Sequence, residues 1–128
     1  MRGFRFIVDG AVPGNLTRVR SLASLGLAFK TVIASVDLIL TKPGYGTIVE
    51  AVALGTPVVY VRRYNFADEP PLLTHLHRFG RGAEPSLVDF HRGQWDAAIE
   101  QASAHPLSET PPPLSGAHEA AQFLAHYV

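Results

Sequence analysis

The chain has 128 residues, no cysteine, 47% hydrophobic and 17% charged residues, and a formal net charge of zero. That length suffices for one domain with a real core, and the composition excludes disulfides, thiolate nucleophiles and thiolate metal sites and argues against nonspecific nucleic-acid binding. No apolar run reaches the roughly 18 residues of a membrane span, and the opening MRGFRFIVDG lacks the apolar run and cleavage site of a signal peptide, so a cytoplasmic protein is expected.

The charge is unevenly divided. Residues 1–64 carry eight Lys/Arg and three Asp/Glu, residues 65–128 three and eight, so the halves are +5 and −5. The basic half suits an anionic ligand.

In chain order, Phe4–Val8 reads as a strand and Thr17–Leu22 as a short second one. Phe29, Val32, Ile33 and Val36 share one face of a helix over 28–36. The stretch Asp37–Arg63 organises the rest. Asp37–Thr41 is a strand, Lys42-Pro43-Gly44-Tyr45-Gly46 a loop, Thr47–Leu54 a helix stopped by Gly55, and Val58–Val61 a second strand. Such a unit is a parallel βαβ whose glycine turn faces the carboxyl edge of the sheet, where open α/β folds bind ligands. Pro70-Pro71 then opens a helix carrying Leu72, Leu73, Leu76 and Phe79, stopped at Gly80 and Gly82. Residues 84–91 read as a short helical turn at most. Trp95, Ala98, Ile99 and Ala102 define a helix over 94–104, residues 105–114 a proline-rich linker, and residues 115–127 a terminal helix expected to pack. The fold class is α/β: a three-layer, Rossmann-like single domain with a parallel sheet.

The glycine loop has two readings. In the functional one, Gly44 and Gly46 let the backbone approach a ligand, the helix start offers free N–H groups and a positive dipole end, and Thr47 and Lys42 add a hydroxyl and a cation. In the structural one, the glycines serve a tight turn, and Thr47-x-x-Glu50 is a capping box with Glu50 bonded back to the helix start. The loop is neither a Walker A sequence nor G-x-G-x-x-G, since Val49 stands at the third glycine position.

The combination of Ser35-x-Asp37-Leu38-Ile39, Lys42-Pro43-Gly44-Tyr45-Gly46-Thr47, Glu50-Ala51 and Gly55-Thr56-Pro57-Val58-Val59 resembles the C-terminal, donor-binding domain of GT-B glycosyltransferases, in the MurG-like branch (glycosyltransferase family 28). With Arg63-x-x-Phe66-x-x-Glu69-Pro70-x-Leu72, the pattern also looks like bacterial transferase-like proteins and the N-terminal region of plant-type sugar kinases of the arabinokinase kind. The resemblance implies the C-terminal half of a GT-B fold. It implies a donor diphosphate held by Gly44, Tyr45, Gly46 and Thr47, with Lys42 nearby, and ribose hydroxyls bound by Glu50. Arg62 and Arg63, at the carboxyl end of the next strand, read either as a phosphate contact, with Arg63 the choice, or as a solvated loop; the donor-sugar contact falls to Asp68 or Glu69, with Glu69 the choice, where many relatives carry Asp-Gln. No cofactor and no metal are implied beyond the nucleoside diphosphate sugar, of UDP type. The acceptor domain and catalytic base of such enzymes lie in the other half, so a separate acceptor subunit, a homo-oligomer, or the missing half of a truncated chain is expected to complete it.

Elsewhere, His75 and His77 point to different sides of a helix and make a poor chelating pair. Trp95 and Phe79 read as core residues. The expected function is hexosyl transfer in which this chain binds the donor and needs a partner for catalysis. The alternatives are a non-catalytic binding or interaction module on the same fold, and part of a sugar-nucleotide epimerase.

Overall fold

A computed structural model describes residues 3–107 and 109–128. Its centre is three short parallel strands, β3 (Ile39–Thr41), β4 (Val58–Tyr60) and β5 (Gly82–Ala83), in the order β3-β4-β5. The register sets Leu40 opposite Val59, and Val59 opposite Ala83. All three residues of β4 are buried, as befits the middle strand of a parallel sheet covered on both faces.

The pleat sends Val58 and Tyr60 to one face and Val59 to the other. The first face holds the main core: Ile33 from α1 (Phe29–Ser35), Ile48, Ala51 and Val52 from α2 (Tyr45–Leu54), and Leu72, Leu73 and Leu76 from α3 (Glu69–Phe79). The second face is smaller. Val59 and Ala83 meet Ala98 and Ala102 of α5 (Asp96–Ala104), with Leu38 and Ile99 packed beside them. Helix α5 contacts β4 and β5, and Leu40 on β3 stays 37% exposed.

Local chemistry fixes the joints. Gly55 ends α2 in the left-handed region, at φ 69°, and its amide donates to the carbonyls of Ala51 and Val52, an end that favours glycine because it has no Cβ. The Thr56 hydroxyl donates to the Ile33 carbonyl at 3.2 Å, tying α1 to the α2–β4 turn. The Arg81 guanidinium donates to the Gly55 carbonyl, linking that turn to the start of β5. Ser86 caps α4 (Leu87–Arg92): its Oγ accepts from the Asp89 amide at 3.0 Å and donates to the Asp89 carboxylate at 2.7 Å.

Two segments stand apart. β1 (Phe6–Val8) and β2 (Val19–Ser21) form their own parallel pair, none of whose residues is buried. Helix α6 (Gly116–Ala125) has every residue exposed. The terminal helix expected to pack therefore does not pack here; Phe123 on it meets Tyr127 just beyond its end, ring centroids 5.3 Å apart and planes tilted by 54°.

The expected α/β class with parallel strands holds, although the strands fall into two sheets. Strand β5 reads in the sequence only as a helix stop, because a Gly-Ala pair has no strand signal of its own. It forms because Val58 and Val59 offer it a ladder. Ser108 of the proline-rich linker lies outside the described residues.

Candidate functional site

The βαβ unit places the glycine loop at the carboxyl ends of β3 and β4. Helix α2 starts at Tyr45, two residues before the expected Thr47, with Gly44 as N-cap. Its first ladder bond runs from the Ile48 amide to the Gly44 carbonyl at 3.0 Å. No side chain caps the helix, so the amides of its first turn are left for a ligand or solvent. With the helix set back this way, Thr47 is the third helical residue and Glu50 the sixth, so the pair is not a capping box. Among the described residues, neither side chain has a hydrogen-bond partner.

Neither glycine is required by the fold. Gly44 has φ −146° and ψ 146°, extended backbone open to any residue. A Cβ on Gly44 or Gly46 would meet nothing within 4 Å. A glycine inside a helix costs about 0.5–1 kcal/mol relative to alanine, and packing gives Gly46 nothing in return. What the two glycines do provide is bare main chain in front of free amides. Tyr45 beside them is 60% exposed.

A second loop, Val61–Asp68, leans on the first. Glu69 opens α3 with its side chain fully buried. Its carboxylate accepts from the Arg63 amide at 3.0 and 3.2 Å, from Arg63 Nε at 3.0 Å and from Arg62 Nε at 3.5 Å. Burial pushes this carboxyl upward. The donors of Arg63, the Tyr64 amide and Arg62 outweigh it and hold the group below the ordinary carboxylate value. The Arg63 guanidinium then reaches back to the Pro43 carbonyl at 2.6 Å and lies 3.5 Å over the Phe66 ring. Arg62 lies 4.6 Å over Tyr64.

Arg63 is thus a strut between the two loops, and Glu69 is its anchor. The sugar contact expected of Glu69 does not fit this placement, because its oxygens are turned inward and occupied by the arginines.

Beside the loops lies a cleft of about 380 Å³ lined by Leu40, Thr41, Lys42, Val61, Arg62, Arg63, Phe90 and Trp95. Three cations border it, and one wall is aromatic. Phe90 and Trp95 stack with centroids 5.9 Å apart and planes 23° from parallel. The indole N–H donates to the Phe90 carbonyl at 3.0 Å, so the ring offers the cleft a face and no free donor. Trp95 is therefore a wall of the site and not the core residue its helical spacing suggested. Gly93 at φ 69° turns the chain between α4 and α5 and brings the two rings together. A larger depression of about 490 Å³, lined by Arg62, Pro70, Leu73, Thr74 and His77, lies along α3. It includes no residue of the glycine loop. His77 is engaged there, with Nε2 2.8 Å from the Tyr60 hydroxyl.

Of the residues singled out from the sequence, Lys42, Gly44, Tyr45, Gly46 and Thr47 form one continuous rim, and Arg63 is bonded to it through Pro43. Glu50 sits further along α2. Glu69 lies beneath. Arg62, Phe90 and Trp95 complete the picture. An aromatic pair bridging Gly93 was the available signal for the last two.

Fold and geometry together define a Rossmann-like α/β domain with a capless glycine loop and a cationic, aromatic cleft at its carboxyl edge. The chain is similar to L-arabinokinase of Arabidopsis thaliana, with 41% identity over 71 residues. That match covers 56% of this chain and 7% of the plant protein. No family model and no solved structure matches the chain. The expected likeness to plant-type sugar kinases is met by this partial match.

Proposed function

We propose that the domain binds a nucleoside diphosphate sugar of UDP type as the donor half of a GT-B-like glycosyltransferase, in the manner of the MurG-like branch. The observation that carries the reading is the pair Gly44 and Gly46. Neither backbone geometry nor packing asks for glycine at either position, and together they bare the uncapped start of α2. A diphosphate placed there accepts the free amides and meets the helix dipole. Glu50, half-buried and without a partner, is available to accept from ribose hydroxyls.

Metal-independent transfer fits this arrangement. The helix start and the cations stabilise negative charge as the diphosphate departs. A general base and an acceptor pocket belong to a partner half, and the exposed α6 and uncovered β1–β2 pair are the surfaces through which such a half can join. Kinase chemistry is not carried over from the plant relative, because the loop lacks the Gly-Lys-Ser/Thr of a P-loop and the match takes in only a small part of that protein.

The test is a two-way substitution. Gly46→Ala should leave the fold as stable or raise its stability by up to about 1 kcal/mol, while UDP binding measured by calorimetry falls about tenfold or more. Glu50→Ala should weaken UDP more than pyrophosphate. Absence of UDP binding at millimolar concentration overturns the proposal and favours a non-catalytic interaction module. A Gly46→Ala variant that binds UDP normally overturns the assignment of the loop.

A further inference from the structure

The cleft and Glu50 lie on opposite sides of the sheet. Helix α2, with Glu50, packs with α1 and α3 on the main-core face. Trp95 leads into α5, which covers the other face. The start of α2 stands between them at the carboxyl edge. A ligand with its diphosphate at Gly44–Thr47 and its ribose at Glu50 must extend its far end toward Lys42, Arg62, Phe90 and Trp95. This placement rests on the donor reading above. The far end of a nucleoside diphosphate sugar is the glycosyl group.

The chemistry of the cleft narrows that group. A pyranose presents a flat C–H face, which suits the Phe90–Trp95 wall, whose only N–H is already bonded. The charged lining is cationic throughout: among the described residues, Lys42, Arg62 and Arg63 border the cleft and no carboxylate does. Glu69 offsets Arg62 and Arg63 from beneath. Lys42 has no such counter-charge: its side chain is exposed and bonded to nothing among the described residues. Neutral hexoses are met by hydrogen-bond acceptors as well as donors, whereas Lys and Arg supply donors only. A ligand that brings its own acceptor charge completes this set.

We infer that the cleft is the glycosyl subsite and that it selects a nucleotide sugar whose glycosyl group carries a carboxylate, a hexuronate, with the carboxylate at Lys42 and the pyranose face on Trp95.

Trp95 is the single tryptophan of the chain, so its fluorescence reports the cleft directly. The intact chain is titrated with UDP, UDP-glucose and UDP-glucuronate. UDP-glucuronate is expected to bind about tenfold tighter than UDP-glucose and to change Trp95 emission, with UDP alone changing it least. Lys42→Gln, followed by calorimetry, should bring the ratio of the two sugar nucleotides to near one. Trp95→Ala should remove the advantage of either over UDP, with circular dichroism confirming the fold. Equal affinities for the two sugar nucleotides, or a preference that survives Lys42→Gln, overturn the inference while leaving the donor site standing. Absence of UDP binding overturns the donor reading, and the inference with it.

Discussion

The two parallel sheets are built from strands of two or three residues and differ almost completely in what surrounds them. Strands β3, β4 and β5 lie between α1–α3 on one side and α5 on the other, and every residue of β4 is buried. Strands β1 and β2 pair in register with no buried residue, one face half-buried and the other exposed, and Ile7 is 41% exposed in mid-strand. A parallel ladder is stabilised by the layers that cover it more than by its own hydrogen bonds. The candidate site sits on the covered sheet, where its loops are held by a frame of packed helices.

The largest expected consequence of this contrast lies in the core. Leu76 is fully buried, and its side chain fills the space over Gly82 and, with Val52, the space over Gly80. Leu76→Ala should cost about 3 kcal/mol, measured by urea unfolding. A cost below about 1 kcal/mol would mean that the covered sheet is no better packed than the open one.

Glu69 comes next. Its carboxyl is held below its ordinary value of 4.5 in the folded state, so its contribution is present above that value and fades as the pH falls below it toward the depressed value. Glu69→Gln should therefore lower the melting temperature at pH 7, with the difference from the parent shrinking under acid conditions. A difference independent of pH would show that the carboxylate charge does not hold Arg62 and Arg63.

Tyr60→Phe removes the partner of His77 Nε2 and should cost about 1 kcal/mol. Burial, then Glu84, raises the Tyr60 phenol above its ordinary value of 10.0 against the opposing pull of Arg62. The bond should thus persist through neutral and mildly alkaline pH in a spectroscopic titration. The smallest effect is expected in the open pair, where Ile7→Ala should stay within about 0.5 kcal/mol. A larger cost would reveal that β1 is covered in solution, by a partner or a second copy.

The sequence made the covered sheet legible through particular residues. Asp37–Thr41 and Val58–Val61 stand out as short apolar runs of strand length, and the Leu72, Leu73, Leu76 series carries a helical period that matches its burial. The start of α2 was misplaced because Thr47 is a better side-chain cap than Gly44, and a backbone-only cap leaves no compositional trace. The inward turn of Glu69 was hidden as well. Its partners depend on how residues 61–68 fold back, a tertiary arrangement that spacing does not encode. Trp95 had helical spacing with Ala98 and Ala102, and only its position just ahead of α5 made it a wall of the cleft. Helix α6 shows the converse: an apolar stripe guarantees a surface to bury, but not a neighbour to bury it against.

The bond from Arg63 to the Pro43 carbonyl bears on the thermodynamics of recognition. It pins the glycine loop to a strand-end residue that is itself anchored on a buried carboxylate. If the loop binds a diphosphate as proposed, it is held in shape before the ligand arrives, and little ordering entropy remains to be lost on association. Binding should accordingly be fast, show a modest heat-capacity change, and leave the backbone where it was. Cutting the strut with Arg63→Ala converts the loop into one that must be organised by its guest, with the penalty appearing mainly as entropy.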